Sequence, residues 1–330
     1  MNQDNPVRFA DFRLHPALNR GIQEAGFETP RPIQTQAIPA IIKGRDVLGL
    51  AQTGTGKTAA FALPILDYIL ADRRKATTAM IIAPTRELAT QIAEEIRLLS
   101  RFAKIKVAVV YGGVPIHKQR GVLKSRPELV VGCPGRILDL MQQSILRVDQ
   151  IDTLVLDEAD QLLDMGFLPG IKQIIRALPR DRQNLLFSAT MPTEIRRLTK
   201  DLLHEPHVVE LASSAPAETI DHSIIPVADR RKRDLLDEIL RRKDCQSAII
   251  FTRTKHRAKR LADQLSKAGQ NAVGLQGNMS QPQRDRAMKG FRSGRYRLLV
   301  ATDIVARGID VSDVSYVINF DVPNTAEAYT

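Results

Sequence analysis

Short β-rich runs alternate with helix-patterned runs along most of the chain, and this alternation constrains the fold more than any other feature. Candidate strands are residues 46–51, 79–83, 106–111, 128–132, 153–156, 184–187 and 208–211. Between them, stretches such as 87–102 and 192–203 carry apolar residues at helical spacing. Strands joined through helices run parallel, and a parallel sheet is covered by helices. Residues 211–218, Leu-Ala-Ser-Ser-Ala-Pro-Ala-Glu, break the rhythm with small residues and a proline and read as a linker. A second series of candidate strands follows at 222–227, 247–251, 271–275, 297–301 and 315–320, with helical runs such as 254–268 between them. The expectation is an α/β chain of two domains, 1–210 and 219–330, which agrees with a length of 330 residues.

Within the first series, the apolar run Val47-Leu48-Gly49-Leu50 leads into Ala51-Gln52-Thr53-Gly54-Thr55-Gly56-Lys57-Thr58, and a helix-forming run starts at Ala59. Strand, glycine-containing loop and helix in that order make a phosphate-binding loop. Gly54 and Gly56 let the backbone turn tightly enough to aim several N–H groups at one anion, and the helix dipole adds positive potential at the same spot. Lys57 would reach the outer phosphates of a nucleoside triphosphate and the Thr58 hydroxyl would hold magnesium. Ala51 stands where the general pattern has its first glycine. The second series has no such loop, so its role should differ.

A triphosphatase also needs a carboxylate to hold the metal ion and a group to orient the attacking water. Thr153-Leu154-Val155-Leu156 runs straight into Asp157-Glu158-Ala159-Asp160, which puts Asp157 at the carboxyl end of a buried strand, where doubly wound sheets collect ligand-binding residues. Asp157 is the candidate metal anchor and Glu158 the candidate water-polarising base.

Composition narrows the partners. Formal charge is +11, and residues 219–330 hold 20 Lys or Arg against 13 Asp or Glu. That excess favours a polyanion, with a solvated basic surface as the alternative. With 5% aromatic residues and no Trp, stacking of bases on an aromatic platform is a poor main binding mode, and phosphate contacts fit better. No apolar run approaches the roughly 20 residues that span a bilayer. The N-terminus lacks a secretory pattern, and two cysteines, Cys133 and Cys245, suit neither a disulfide framework nor a zinc site. A reducing cytoplasm fits best. His117, His204 and His256 show no ligand spacing.

On these motifs the chain resembles the DEAD-box ATP-dependent RNA helicases, in particular the bacterial RhlE-type branch. The resemblance implies two RecA-like domains, ATP and Mg2+ as ligands, and RNA held mainly by its backbone. Gly26-Phe27-Glu28-Thr29-Pro30-Arg31-Pro32-Ile33-Gln34, with Phe9 upstream, is similar to the family's Q motif. There Gln34 would read the adenine edge through the paired donor and acceptor of its amide, with an aromatic on the base and Arg31 nearby. Pro84-Thr85-Arg86, Gly112-Gly113 and Pro134-Gly135-Arg136 are similar to the first-domain motifs that grip the RNA backbone. Cys133 departs from the threonine usual before Pro-Gly-Arg. Ser188-Ala189-Thr190 corresponds to the motif that couples the acidic motif to domain closure. In the second half, Arg253, Gln281, Arg284 and Thr302 match positions that contact RNA, whereas Gly308 and Asp310 match positions that meet the nucleotide.

The family's His-Arg-Ile-Gly-Arg-Thr-Gly-Arg motif would follow Thr330, and its arginines would stabilise the phosphoryl-transfer transition state. The resemblance therefore implies a truncated second domain that binds ATP and hydrolyses it weakly. The full activity it implies is local, ATP-dependent opening of RNA duplexes. An ATP-gated RNA clamp and a DNA-directed helicase are the competing readings.

Overall fold

The computed structural model describes residues 7–52, 54–72, 74–211, 221–302 and 314–322. Two compact units divide the chain, Met1–Ser213 and Ser214–Thr330. The expected linker lies outside the described residues apart from Leu211.

Among the described residues the first unit holds seven strands: β1 (Val47–Leu50), β2 (Ala79–Ile82), β3 (Val107–Val110), β4 (Leu129–Gly132), β5 (Thr153–Leu156), β6 (Gln183–Ser188) and β7 (His207–Glu210). They form one sheet in the order β3-β4-β2-β5-β6-β1-β7, with every pairing parallel. Alternation along each strand divides the interior in two, since successive side chains leave opposite faces of a sheet. Ile81, Val131, Val155, Leu185 and Phe187 join the core on one face, and Met80, Ile82, Val130, Leu154, Leu156 and Leu186 join the other. Because both faces are buried, these strands read as continuous apolar runs.

The helices α1 (Pro16–Glu24), α2 (Pro32–Ile42), α3 (Lys57–Asp72) and α4 (Arg86–Leu99) pack on the first face. The second face is covered by residues of α5 (Ile116–Leu123), α6 (Pro134–Gln142), α7 (Ala159–Asp164), α8 (Leu168–Ala177) and α9 (Thr193–Leu202). The runs expected to be helical at 87–102 and 192–203 are α4 and α9.

The second unit contains α10 (Lys232–Leu240), β8 (Ala248–Thr252), α11 (Lys255–Lys267), β9 (Ala272–Leu275), α12 (Gln281–Arg292), β10 (Leu298–Thr302) and β11 (Tyr316–Asn319). Its strands pair in parallel in the order β11-β8-β10-β9. Again the faces separate, with α10 and α11 on the Ala248 and Ile250 side and α12 on the Ile249 and Leu299 side.

One expected strand is absent. Residues 222–227 are irregular, and Ile224 is 89% exposed. The segment has the apolar content of a strand, but no described strand pairs with it. Without a partner, the local preference has no hydrogen-bond ladder to complete, and Pro226 has no N–H to offer one.

Candidate functional site

All seven strands of the first sheet point the same way, so the segments after them emerge at one carboxyl edge. Along that edge the strand order sorts the candidate residues into two neighbouring groups. The strands β5, β6 and β1 present Asp157, Ser188 and the phosphate-binding loop. Beside them, β2, β4 and β3 lead into Pro84-Thr85-Arg86, Cys133-Pro134-Gly135-Arg136 and Gly112-Gly113.

In the loop, Gly54 and Gly56 have φ of 76° and 89°, the left-handed region open to glycine. A Cβ on Gly56 would also lie 2.6 Å from Gln34 Nε2. Ala51 N–H donates to the Ser188 carbonyl at 3.0 Å, and the Thr55 hydroxyl donates to the Gln52 carbonyl at 2.8 Å. Lys57 opens α3. Its ammonium is buried and donates to the Ala51 carbonyl at 2.9 Å, a neutral acceptor that phosphate oxygens would outcompete for a cation. Thr58 is half-buried beside it, and Thr53 lies outside the described residues.

Gln34 is fully buried. Its Oε1 accepts Arg31 N–H at 2.8 Å and its Nε2 donates to the Gly56 carbonyl at 3.1 Å, while the Arg31 guanidinium donates to the Gly54 carbonyl. The start of α2 is thus bolted to the loop, and in this conformation the Gln34 amide faces protein. One N–H and part of its acceptor capacity stay uncommitted. Phe9 is 5% exposed, packed edge-on against Phe12 and Phe27 at centroid separations of 6.0 and 6.2 Å. It acts as core, and half-buried Phe27 is the more accessible ring.

Asp157 and Glu158 are buried at 2% and 4% exposure. Burial pushes the Asp157 carboxyl up, against the opposing pull of Lys57. The Glu158 carboxyl is pushed up to about 8, first by burial and then by the Asp157 charge. Asp157 Oδ1 accepts the Glu158 N–H at 3.0 Å. Glu158 adopts φ 48° and ψ 55°, a strained conformation for a side-chain-bearing residue, and its buried Oε2 has no partner. A strained residue with an unsatisfied carboxylate oxygen next to a phosphate-binding loop is suited to receive a water proton. A buried carboxylate also fits a divalent cation, which would add to the counter-charge of Lys57. Among the described residues no group of three His, Cys, Asp or Glu could hold a metal, so an ion at Asp157 and Thr58 would depend on phosphate oxygens as further ligands.

Asp160, three residues beyond Asp157, is a further residue of this group. Its Oδ2 accepts Ala189 N–H at 3.1 Å, Thr190 N–H at 2.9 Å and the Thr190 hydroxyl at 2.9 Å. The Ser188 hydroxyl accepts Asp160 N–H at 3.3 Å and donates to the Thr190 carbonyl at 2.7 Å. These bonds cross from the segment after β5 to the segment after β6. A carboxylate three residues after Asp157 at a helix N-terminus was the available signal.

In the neighbouring group, Pro84, Thr85 and Pro134 are buried. The Thr85 hydroxyl caps α4 by accepting Leu88 N–H at 3.2 Å. Arg136 reaches back to the Val114 carbonyl at 2.9 Å and pairs with Asp139 at 3.4 Å. Cys133 precedes α6 without a side-chain cap bond, and burial together with the Glu87 charge pushes its thiol up to about 12. Gly113 and Gly135 are exposed, and Gly112 and Arg86 are half-buried. Gly113 has φ 82°, and a Cβ there would meet Arg86 Nη1 at 2.5 Å.

In the second unit, Arg253, Gln281 and Thr302 fall at or after carboxyl ends of strands, and half-buried Arg284 lies one turn into α12. Arg253 is exposed, whereas Thr302 is 8% exposed. Gly308 and Asp310 lie outside the described residues.

The DEAD/DEAH box helicase family profile matches residues 31–198, and the helicase conserved C-terminal domain profile matches residues 231–330. The chain belongs to the DEAD/DEAH box helicase family. It is 41% identical over 324 residues to the ATP-dependent RNA helicase CshA of Limosilactobacillus reuteri, covering 98% of this chain and 65% of that protein. To the DEAD-box ATP-dependent RNA helicase CshA of Geobacillus kaustophilus it is 41% identical over 322 residues, covering 97% and 69%. The chain thus spans about two thirds of the length of these curated relatives. A solved structure of S. cerevisiae Dbp5 bound to RNA and ADP BeF3 is 32% identical with a TM-score of 0.86, covering 97% of this chain and 82% of that one. A DEAD box protein from the hyperthermophile Methanococcus jannaschii is 34% identical with a TM-score of 0.60, covering 98% and 87%. The family expectation and the two RecA-like sheets therefore stand. The RhlE-type branch is not supported, because these relatives are named CshA.

Proposed function

We propose that the protein is an ATP-dependent RNA helicase that couples ATP binding and hydrolysis to RNA binding and local opening of RNA duplexes. The observation that carries this reading is the adjacency of two groups on one sheet edge. Loop, carboxylates and Ser188 stand beside segments rich in backbone N–H groups and arginine, with Asp160 tying the segments after β5 and β6 together. The names of the relatives support the same activity.

ATP would enter with its phosphates on the loop N–H groups, and Lys57 would exchange the Ala51 carbonyl for phosphate oxygens. Magnesium, when bound, neutralises charge on those oxygens. Asp157 and Thr58 would hold it. Glu158 would orient water and take its proton, for which its unpartnered Oε2 is available. Gly112, Gly113, Gly135, Arg86, Arg253 and Arg284 would bind RNA through phosphates and sugars, which gives tight binding with little sequence preference.

Hydrolysis by these 330 residues is expected to be weak, since residues 311–330 contain no Lys or Arg to neutralise transition-state charge. Strand displacement from a short RNA duplex, with and without ATP, tests the reading. ATP-dependent displacement that Lys57→Ala abolishes is expected. RNA binding that follows ATP with no displacement, in this chain and in one extended past Thr330, would replace it with the clamp. Single-turnover ATP hydrolysis as fast in this chain as in the extended one would remove the claim of weak hydrolysis.

A further inference from the structure

Arg253 follows β8, and its backbone is held by an acid from the segment after another strand. Asp321 lies just beyond β11 and is only 5% exposed. Its Oδ2 accepts the Arg253 N–H at 3.0 Å. Its Oδ1 faces two cations, Lys232 Nζ at 3.4 Å and Arg257 at 3.2 Å. Both cations also reach Asp229, at 3.3 and 3.0 Å, and both lie over the Phe320 ring, at 5.7 and 5.1 Å. On the other side of Arg253, the Thr254 hydroxyl caps α11 by accepting Arg257 N–H at 3.2 Å. The two-residue connection from β8 to α11 is therefore pinned at both ends.

We propose that Asp321 is a positioning residue for RNA binding, one that sets the backbone of Arg253 so that its exposed guanidinium stands at the carboxyl edge of the second sheet. The inference rests on the reading of Arg253 as an RNA-backbone contact. Asp321 has both carboxylate oxygens engaged by donors, a backbone N–H on one and two cations on the other. No neutral side chain of the same shape reproduces this. In an asparagine, whichever way the amide is turned, its NH2 faces a donor. Lys232 and Arg257 compensate the buried charge, and they cover Phe320, so the arrangement draws on α10, α11 and β11 together.

The sign of the effect separates positioning from bulk charge. Asp321→Asn makes the protein one unit more positive, which by itself strengthens binding to a polyanion. Loss of positioning weakens it.

The test is the affinity of the whole 330-residue chain for a fluorescent single-stranded oligouridine with ADP-beryllium fluoride present. It is measured for the parent, Arg253→Ala, Asp321→Asn and the double variant. Asp229→Asn serves as a control that removes an acid from the same cations without touching the Arg253 N–H. The proposal expects roughly tenfold weaker binding for Asp321→Asn and similar loss for Arg253→Ala. It expects no further loss in the double variant, parental or tighter binding for Asp229→Asn, and unchanged affinity for nucleotide. Parental or tighter binding by Asp321→Asn overturns it, as does a double variant whose losses multiply. If Arg253→Ala itself binds as the parent does, the reading of Arg253 has failed, and the positioning role falls with it. Should Asp321→Asn lose its folded second unit by circular dichroism, Asp321→Glu reads the same cycle, with the same non-additive loss expected and multiplied losses overturning the proposal.

Discussion

The Thr190 hydroxyl donates to Asp160 Oδ2 at 2.9 Å, and the same oxygen takes the Ala189 and Thr190 N–H groups. One carboxylate oxygen therefore gathers three donors from the segment after β6. Asp160→Ala leaves these donors without their acceptor. Because the cluster is part-exposed, the cost should be about 1–2 kcal/mol, seen as a fall of a few degrees in the melting of the first unit. Thr190→Val removes one of the three bonds and should cost less than half as much. Equal melting temperatures in all three proteins would remove Asp160 from this role.

The Lys57 ammonium donates to the Ala51 carbonyl and opposes the rise of the Asp157 and Glu158 carboxyls. Lys57→Met leaves the buried Asp157 and Glu158 without that cation, so the protein free of nucleotide should melt below the parent at neutral pH. Affinity for Mg-ATP should fall by roughly 30-fold or more, the loss of a charge-assisted phosphate bond. A thermal melt reads the first claim and titration calorimetry the second, each against the parent, and unchanged affinity would contradict the assignment of this loop.

Gly56→Ala meets two obstacles, a left-handed φ and the Gln34 amide 2.6 Å from the new Cβ. The expected result is loss of detectable nucleotide binding with the fold retained by circular dichroism. Gln34→Ala should loosen the same junction and reduce discrimination between ATP and GTP. If discrimination is untouched, Gln34 serves the loop alone.

Glu158 gives a pH signature in protein free of nucleotide and magnesium. Its carboxyl is raised from 4.5 to about 8, so its contribution to stability is complete below about pH 4.5 and is lost as pH rises to about 8. Glu158→Gln carries no such loss. The melting temperature of the glutamine variant minus that of the parent should grow steadily between pH 5 and pH 8.5, and a flat difference would show that the carboxyl titrates normally.

Cys133 should behave as an inert thiol. With burial holding it near 12, the folded protein keeps it protonated at pH 8.5, and the stability tied to that proton is lost only as pH climbs from about 9 towards 12. Iodoacetamide at pH 8.5 should label it on the timescale of unfolding, and rapid labelling of the native chain would contradict the burial.

Much of this molecule is readable from local chemistry. Strand segments such as Ala79–Ile82 and Thr153–Leu156 announce themselves because both faces are buried and every residue is apolar or small. The phosphate-binding loop is readable because its work is done by backbone N–H groups and glycine dihedrals, which a short run of residues specifies. The place of Asp157 directly after the buried strand β5 is legible in the same way. Residues 222–227 misled because strand propensity needs a partner that the local residues cannot supply. Phe9, the aromatic upstream of the Q motif, has its ring packed in the core against Phe12 and Phe27, contacts that its immediate neighbours in sequence do not announce.

Side-chain periodicity and backbone chemistry within a few residues make most strands and helices legible in the sequence, together with the glycine-containing loop after β1, with residues 222–227 as the exception. Tertiary structure alone decided that β5, β6 and β1 lie together at one half of the edge and β3, β4 and β2 at the other. That order depends on how crossover helices pack, a long-range choice that no short segment encodes. The same holds for Asp160 with Thr190 and for Asp321 with Arg253, pairs separated by 30 and 68 residues, whose meeting required the sheets to form first.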